Sequence, residues 1–374
     1  MRGITALVAL GLVLSATPAT ADPALRLPAP TGRYPVGVTS LYLKDTSRPD
    51  PWVPSVPYRA LMVSLFYPAA SANGTEQQYM TPTESRLLLE DGEITSVPPD
   101  LLSTVRTNSV RDARPAGRPH SLPLVVLSPG HSKPRATLTS LAEDLASHGY
   151  VVAVVDHTYE NVAQTFPDGR VTTCVTCEMI KDETVWTKLN RGRATDASFV
   201  IDQLTGRHPA WRGARLIDTT RIAMGGHSAG GASSIPALLT DQRIGAGFDI
   251  DGSTHDDIPE SGQPKPFMFL GRAEQYTPGS GAPAATWERS WEGMTGWKRW
   301  LLVDGAKHVS FTDVGILLAM AGLDDGAAIE AGRAQAITRA YVRAFLDRHL
   351  RGVPQPLLGG PTPRYPEVTF PMNG

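Results

Sequence analysis

Arg221-Ile222-Ala223-Met224-Gly225-Gly226-His227-Ser228-Ala229-Gly230-Gly231 is the stretch on which the rest of the chain turns. It opens on a short apolar run that reads as a buried strand. It then passes through G-x-S-x-G and enters an Ala- and Leu-rich segment, residues 229–239, that reads as a helix. A sharp strand–turn–helix junction with serine at its apex is the setting of a nucleophile elbow. The turn is so tight that its flanking residues must be small, and Gly226 and Gly230 satisfy that. Ser228 is thereby predicted to stand above the carboxyl ends of the strands, with the N–H groups of the next helix aimed at any developing oxyanion.

Outward from this junction the pattern repeats. Upstream, residues 124–127 and 150–155 are continuous apolar runs separated by a helical segment, 138–148, that stops at Gly149; a longer helix is predicted over 183–204. Downstream, strands are predicted over 244–250, 266–270 and 299–303, with a last helix over 327–349. Two further strands, 34–43 and 61–67, precede the series. Buried strands alternating with amphipathic helices predict an α/β fold with a mostly parallel central sheet and helices on both faces. With the elbow, this is the α/β-hydrolase fold. Residues 70–119 form a long insertion holding one helix, capped by the box Thr81-Pro82-Thr83-Glu84, and are read as a lid.

One positive charge at Arg2, an apolar run over 4–14 and the small residues Ala19-Thr20-Ala21 read as a secretory leader cut before Asp22. Residues 22–374 are then a single domain, and the expected location is extracellular. No later stretch is apolar enough for stable membrane insertion. The net charge of −2 gives no electrostatic reason to expect nucleic acid as a partner. The two cysteines, Cys174 and Cys177, read as a small-loop disulfide. No cluster suited to a catalytic metal is evident, and no cofactor is implied.

A serine hydroxyl needs a base, and the base needs an orienting group. In this fold they follow the serine in the order acid, then histidine. Three histidines follow Ser228: His255, His308 and His349. His308 leaves the final predicted strand and can reach back over the sheet edge, which makes it the base. Phe248-Asp249-Ile250-Asp251-Gly252 offers two acids on the same strand face; Asp251, next to the bend at Gly252, is favoured, with Asp249 behind it and Asp304 a third option. The oxyanion donors are the backbone N–H of Ala229 and, from the loop Ser128-Pro129-Gly130-His131, that of His131. Ala229, Gly230 and Gly231 are small, which leaves the elbow helix open for an acyl group that the insertion would cover.

At these residues the chain resembles the plasma-type platelet-activating factor acetylhydrolases and their secreted bacterial relatives. The resemblance is carried by 59–68, by 127–130 with 144–150, by 226–231, by Asp251, and by His308 followed by Phe311 and Asp313. It implies a calcium-independent hydrolase of short-acyl esters with its acid at Asp251. It departs at Pro129 and Ala229, both beside the acyl pocket. The expected function is a serine carboxylic ester hydrolase taking small-molecule or lipid esters through an acyl-enzyme. Lipase, cutinase-like polyester hydrolase and secreted acyltransferase are the alternatives. A non-catalytic binding protein on the same scaffold would have lost one of the three site residues, and none is missing.

Overall fold

The strand β5 (Leu122–Ser128) shows why the sheet lies where it does. Leu122, Leu124 and Val126 enter one apolar cluster and Val125 and Leu127 the other, so both faces are buried. The computed structural model describes residues 25–373, and the leader read at 1–21 lies outside the described residues. Before β5 come β1 (Val36–Asp45), β2 (Arg59–Pro68), β3 (Glu76–Gln78), α1 (Pro82–Asp91) and β4 (Arg106–Arg111). After it come α2 (Thr139–Ser147), β6 (Val151–His157), the small hairpin β7 (Gln164–Thr165) and β8 (Val171–Thr172), and α3 (Glu183–Thr205). The elbow region is β9 (Ile217–His227), α4 (Ala229–Ala232), α5 (Ser234–Thr240) and β10 (Ile244–Ile250). The chain ends with β11 (Phe267–Arg272), α6 (Ala273–Tyr276), α7 (Ala282–Gly293), β12 (Lys298–Val303), α8 (Asp313–Met320), α9 (Ala331–Arg351) and β13 (Val368–Asn373).

The central sheet runs β13-β12-β11-β10-β9-β5-β6-β2-β1-β4-β3. From β6 to β12 neighbouring strands are parallel; β2 pairs antiparallel with β6, and β13 antiparallel with β12. Helices α2 and α9 cover one face through Leu141, Leu145, Tyr341 and Phe345. Helices α3, α5 and α7 cover the other through Ile201, Leu204, Ile235 and Trp287. Trp287 and Trp300 are fully buried and meet edge to face at 5.2 Å, so they fasten α7 to the sheet.

Two local differences from the sequence reading have simple causes. The helix expected over 229–239 is broken into α4 and α5, because Pro236 has no N–H to give the Ala232 carbonyl and its ring crowds that turn. The insertion at 70–119 is only partly a cover. Its β4 pairs parallel with β1 and its β3 antiparallel with β4, which extends the sheet. Its α1, with the Thr81–Glu84 capping box intact, stands off the sheet and packs through Leu88 and Leu89 toward Leu317 of α8, joined by Leu102 from the short turn that follows. Among the described residues no helix is long and apolar enough to cross a membrane.

Candidate active site

Ser228 follows β9 with φ 55° and ψ −128°, a conformation that costs an L-residue energy and is held only by its surroundings. The glycines around it are demanded by contact. A Cβ at Gly226 or Gly230 would lie 2.0 or 1.9 Å from the Ser128 carbonyl oxygen, and one at Gly231 would lie 2.0 Å from the Asp249 carboxylate. The expectation that Gly230 and Gly231 leave open space beside the helix is therefore corrected: Ser128 and Asp249 fill it. The Ser228 N–H donates to the Ile250 carbonyl at 2.8 Å, which ties the elbow to the end of the next strand.

One residue beyond that carbonyl stands Asp251, itself at φ 58°. The left-handed kink turns its side chain away from the alternation of β10 that it would otherwise share with Asp249. Its Oδ2 lies 2.6 Å from His308 Nδ1, and its Oδ1 accepts the Arg272 N–H at 2.9 Å. The Arg272 guanidinium stands 3.2 Å from Oδ2. The Asp251 side chain is 0% exposed and that of His308 38%, so the pair is anchored from within and open on the imidazole side. Asp249 lies beneath, accepting the Gly252 N–H at 3.0 Å. Burial and the neighbouring Asp251 charge push its carboxyl well above the usual range. Asp304 is exposed at the end of β12, His255 pairs with Glu183, and His349 packs on Trp297, so none of them reaches Ser228's strand end. Among the described residues the Ser228 hydroxyl has no hydrogen-bond partner, and its link to His308 is left open, as is common before substrate arrives.

The loop after β5 passes directly over the elbow. A Cβ at Gly130 would sit 3.1 Å from His227 Nδ1 and 3.4 Å from the Ser228 Cβ, so only glycine lets the loop come this close. The backbone N–H groups of His131 and Ala229 meet no intramolecular acceptor among the described residues. The side chain of His131 turns aside to Thr176 Oγ1 at 2.9 Å and packs edge-on to Trp186. Burial and the Arg193 charge lower its pKa to about 4. Cys174 and Cys177 are bonded to each other beside it, so neither sulfur is available as a thiolate ligand.

Comparison with known proteins places this arrangement. Residues 19–207, just over half of the chain, match the family model of platelet-activating factor acetylhydrolase, isoform II. The chain belongs to this family. A probable 1-alkyl-2-acetylglycerophosphocholine esterase of Arthroderma benhamiae is 29% identical over 96% of this chain and 97% of its own length. The platelet-activating factor acetylhydrolase of Canis lupus familiaris is 24% identical over 66% of this chain and 60% of its own. The solved structure of a ferulic acid esterase from Streptomyces cinnamoneus is 41% identical, covers 93% of this chain and 99% of its own, and superimposes with a TM-score of 0.84.

This member of the acetylhydrolase family is a carboxylic ester hydrolase, and behind its Pro129–His131 loop lies a charge network that the sequence did not disclose. Arg59 donates to Asp50, Glu160 and Asp196 at 2.9, 2.9 and 2.8 Å. Arg193 on α3 donates to Glu160 at 2.7 Å and to the Pro129 carbonyl at 2.6 Å. His157 joins Asp196 at 2.8 Å through Nδ1 and Ser128 Oγ at 2.9 Å through Nε2. Burial alone would raise the Asp196 carboxyl, but the Arg59 charge and the His157 hydrogen bond hold it far below the usual range. Burial and the Arg193 charge keep His157 neutral, so its Nδ1–H donates to Asp196 and its Nε2 accepts from Ser128. Burying so many charges is tolerable only because each one is paired.

Proposed function

We propose that Ser228 is the nucleophile, His308 the base and Asp251 the orienting acid of a hydrolase acting on short-acyl esters. The observation that carries this is the Asp251–His308 contact at 2.6 Å beside a serine held at φ 55°. His308 Nε2 takes the proton of Ser228 Oγ as that oxygen attacks the ester carbonyl. The oxyanion formed is met by the N–H groups of Ala229 and His131. Collapse expels the alcohol, which receives the proton from His308, and water repeats the sequence to free the acid and restore Ser228. Asp251, held by the Arg272 N–H and guanidinium, keeps the imidazole in the tautomer with a proton on Nδ1.

The short-acyl reading draws support from the acetyl ester named for the Arthroderma relative and from the packing beside the elbow. Ala229 is only 7% exposed and packs with Leu189, Trp52 and Trp186, which limits depth on that side. Hydroxycinnamoyl esters are the second reading, favoured by the ferulic acid esterase likeness and the half-buried Trp186 near the oxyanion loop. Residues 1–21 are proposed as an export leader, placing the mature enzyme outside the cell. A panel of p-nitrophenyl esters from acetate to palmitate, with methyl ferulate alongside and a parallel arm treated with a serine-directed organophosphate, tests the proposal. The expected result is kcat/KM highest from acetyl to butyryl, abolished by the organophosphate, with the label on Ser228. Rates that climb steadily to palmitate would replace this reading by a lipase; a dominant methyl ferulate rate would favour the second reading.

A further inference from the structure

His227 precedes the nucleophile, ends β9 and is buried, yet nothing in the relay just described uses it. Its ring lies 4.4 Å from that of His308, tilted by 42°. Its Nε2 is 2.8 Å from the main-chain carbonyl oxygen of His308. A carbonyl only accepts, so Nε2 carries the proton and donates, and Nδ1 is left as a bare acceptor. That Nδ1 is buried, has no hydrogen-bond partner among the described residues and faces Gly130, where a Cβ would come within 3.1 Å. One side chain thus touches the turn carrying His308 and the oxyanion loop, and it shares a backbone with Ser228.

We propose that His227 is a positioning residue whose Nε2–H, by holding the His308 carbonyl, keeps the base in register with Ser228. The backbone bonds of the 307–312 turn explain why such a tether matters. Ser310 N–H donates to the Lys307 carbonyl and Thr312 N–H to that of Val309, while Lys307 N–H is taken by Ser310 Oγ. Those bonds shape the turn without fixing where it sits. The Asp251 carboxylate holds the imidazole at Nδ1, one point about which a ring can still pivot. The bond from His227 adds a second fixed point, and it comes from the strand that delivers the nucleophile. A displacement of the base by about 1 Å is enough to cost on the order of 10²-fold in rate. Neutrality of His227 fits this role, because burial and the adjacent His308 ring both disfavour its protonation.

This inference rests on the Ser228–His308 reading, and the experiment separates the two. His227→Gln places an amide N–H where Nε2 stands; His227→Met has similar length and no donor. Active-site titration with an aryl organophosphate corrects for any misfolded fraction. The expected result is a kcat for His227→Met lower by about 30-fold or more, KM within about twofold, and His227→Gln within about threefold of wild type. Wild-type turnover per titrated site in His227→Met would overturn the proposal. So would equal losses in kcat in both variants, which would assign His227 to packing alone. A wild-type enzyme that the organophosphate does not label at Ser228 would instead overturn the relay itself.

Discussion

Asp249 and Asp251 are two residues apart on one strand end and both are buried, yet their oxygens meet different partners. Asp251 has the Arg272 N–H, the Arg272 guanidinium and His308 around its oxygens. Asp249 accepts the Gly252 N–H, and among the described residues its Oδ2 meets no hydrogen-bond partner. Its carboxyl is therefore driven toward the protonated form. Asparagine mimics a protonated aspartate far better than an ionised one, so Asp249→Asn is expected to keep kcat/KM within about fivefold of wild type. Asp251→Asn should lower it by roughly 10⁴-fold, because an amide facing Nδ1 favours the wrong tautomer. Ser228→Ala should retain the fold and lose about 10³-fold or more in turnover. Initial-rate kinetics on p-nitrophenyl butyrate check all three, and a reversed ranking of the two aspartates would move the relay to Asp249. The ligand atoms of His227, Asp251 and His308 lie within 4.8 Å of one another, a spacing that could also hold a cation. With one bond already shared between Asp251 and His308 and the His227 Nε2–H given to a carbonyl, the trio is committed to protons, and kcat should be unchanged after EDTA treatment. Loss of activity restored by zinc would contradict that assignment.

The loop proposed to carry an oxyanion donor is held by α3 as much as by its own strand. Arg193 fixes the Pro129 carbonyl from α3, and Lys133 N–H donates to the Gly130 carbonyl at 3.2 Å within the turn, so both peptide planes flanking Gly130 are held. Arg193→Met removes the first constraint and leaves Glu160 with one cation fewer at a fully buried site. Breaking such a pair costs about 3–5 kcal/mol, so a clear fall in Tm is expected together with a lower kcat. Arg193→Lys keeps the charge but cannot reach Glu160 and Pro129 with two separate nitrogens, so it should regain stability more than rate. Equal recovery of both would show that the loop does not depend on the second bond. Nothing in local sequence marks this network, because its members are brought together from β2, β5, β6 and α3 across separations of up to 137 residues. The elbow and the buried strands were legible because each is a local pattern: an apolar run, a glycine-flanked turn, a period of two. The edges were not. β4 is Arg106-Thr107-Asn108-Ser109-Val110-Arg111, whose buried Thr107 and Ser109 are polar, and β13 contains Pro371, a residue that argues against a strand unless it lies at an edge.

At the scale of the whole molecule, buried ionisable groups pull stability in both directions as pH falls. His131 and His349 each have a pKa lowered to about 4, chiefly by burial. A base whose folded pKa is depressed contributes stability that is complete above its unfolded value near 6.5 and is lost as pH falls through the folded value. Asp156 and Asp313 have the opposite sign: burial raises them to about 6 and about 7. They contribute stability that is complete below their unfolded value near 3.8 and is lost as pH rises through the folded one. The total curve between pH 4 and 7 is a sum of opposed terms, so its shape alone assigns nothing, and a difference between variants is the informative measurement. His131→Gln can keep the bond to Thr176 Oγ1 and has no proton to gain. Relative to wild type its Tm should be unchanged or slightly lower at pH 7.5 and should become higher as pH is taken from 6.5 toward 4. Because His131 belongs to the loop proposed to bind the oxyanion, His131→Gln should keep a larger share of its pH 7.5 kcat than wild type as pH is lowered through the same window. Parallel melting curves for the two proteins from pH 7.5 to 4 would mean that His131 takes up its proton at no cost to the fold, and that the packing of Trp186 and Arg193 around it does not hold it neutral.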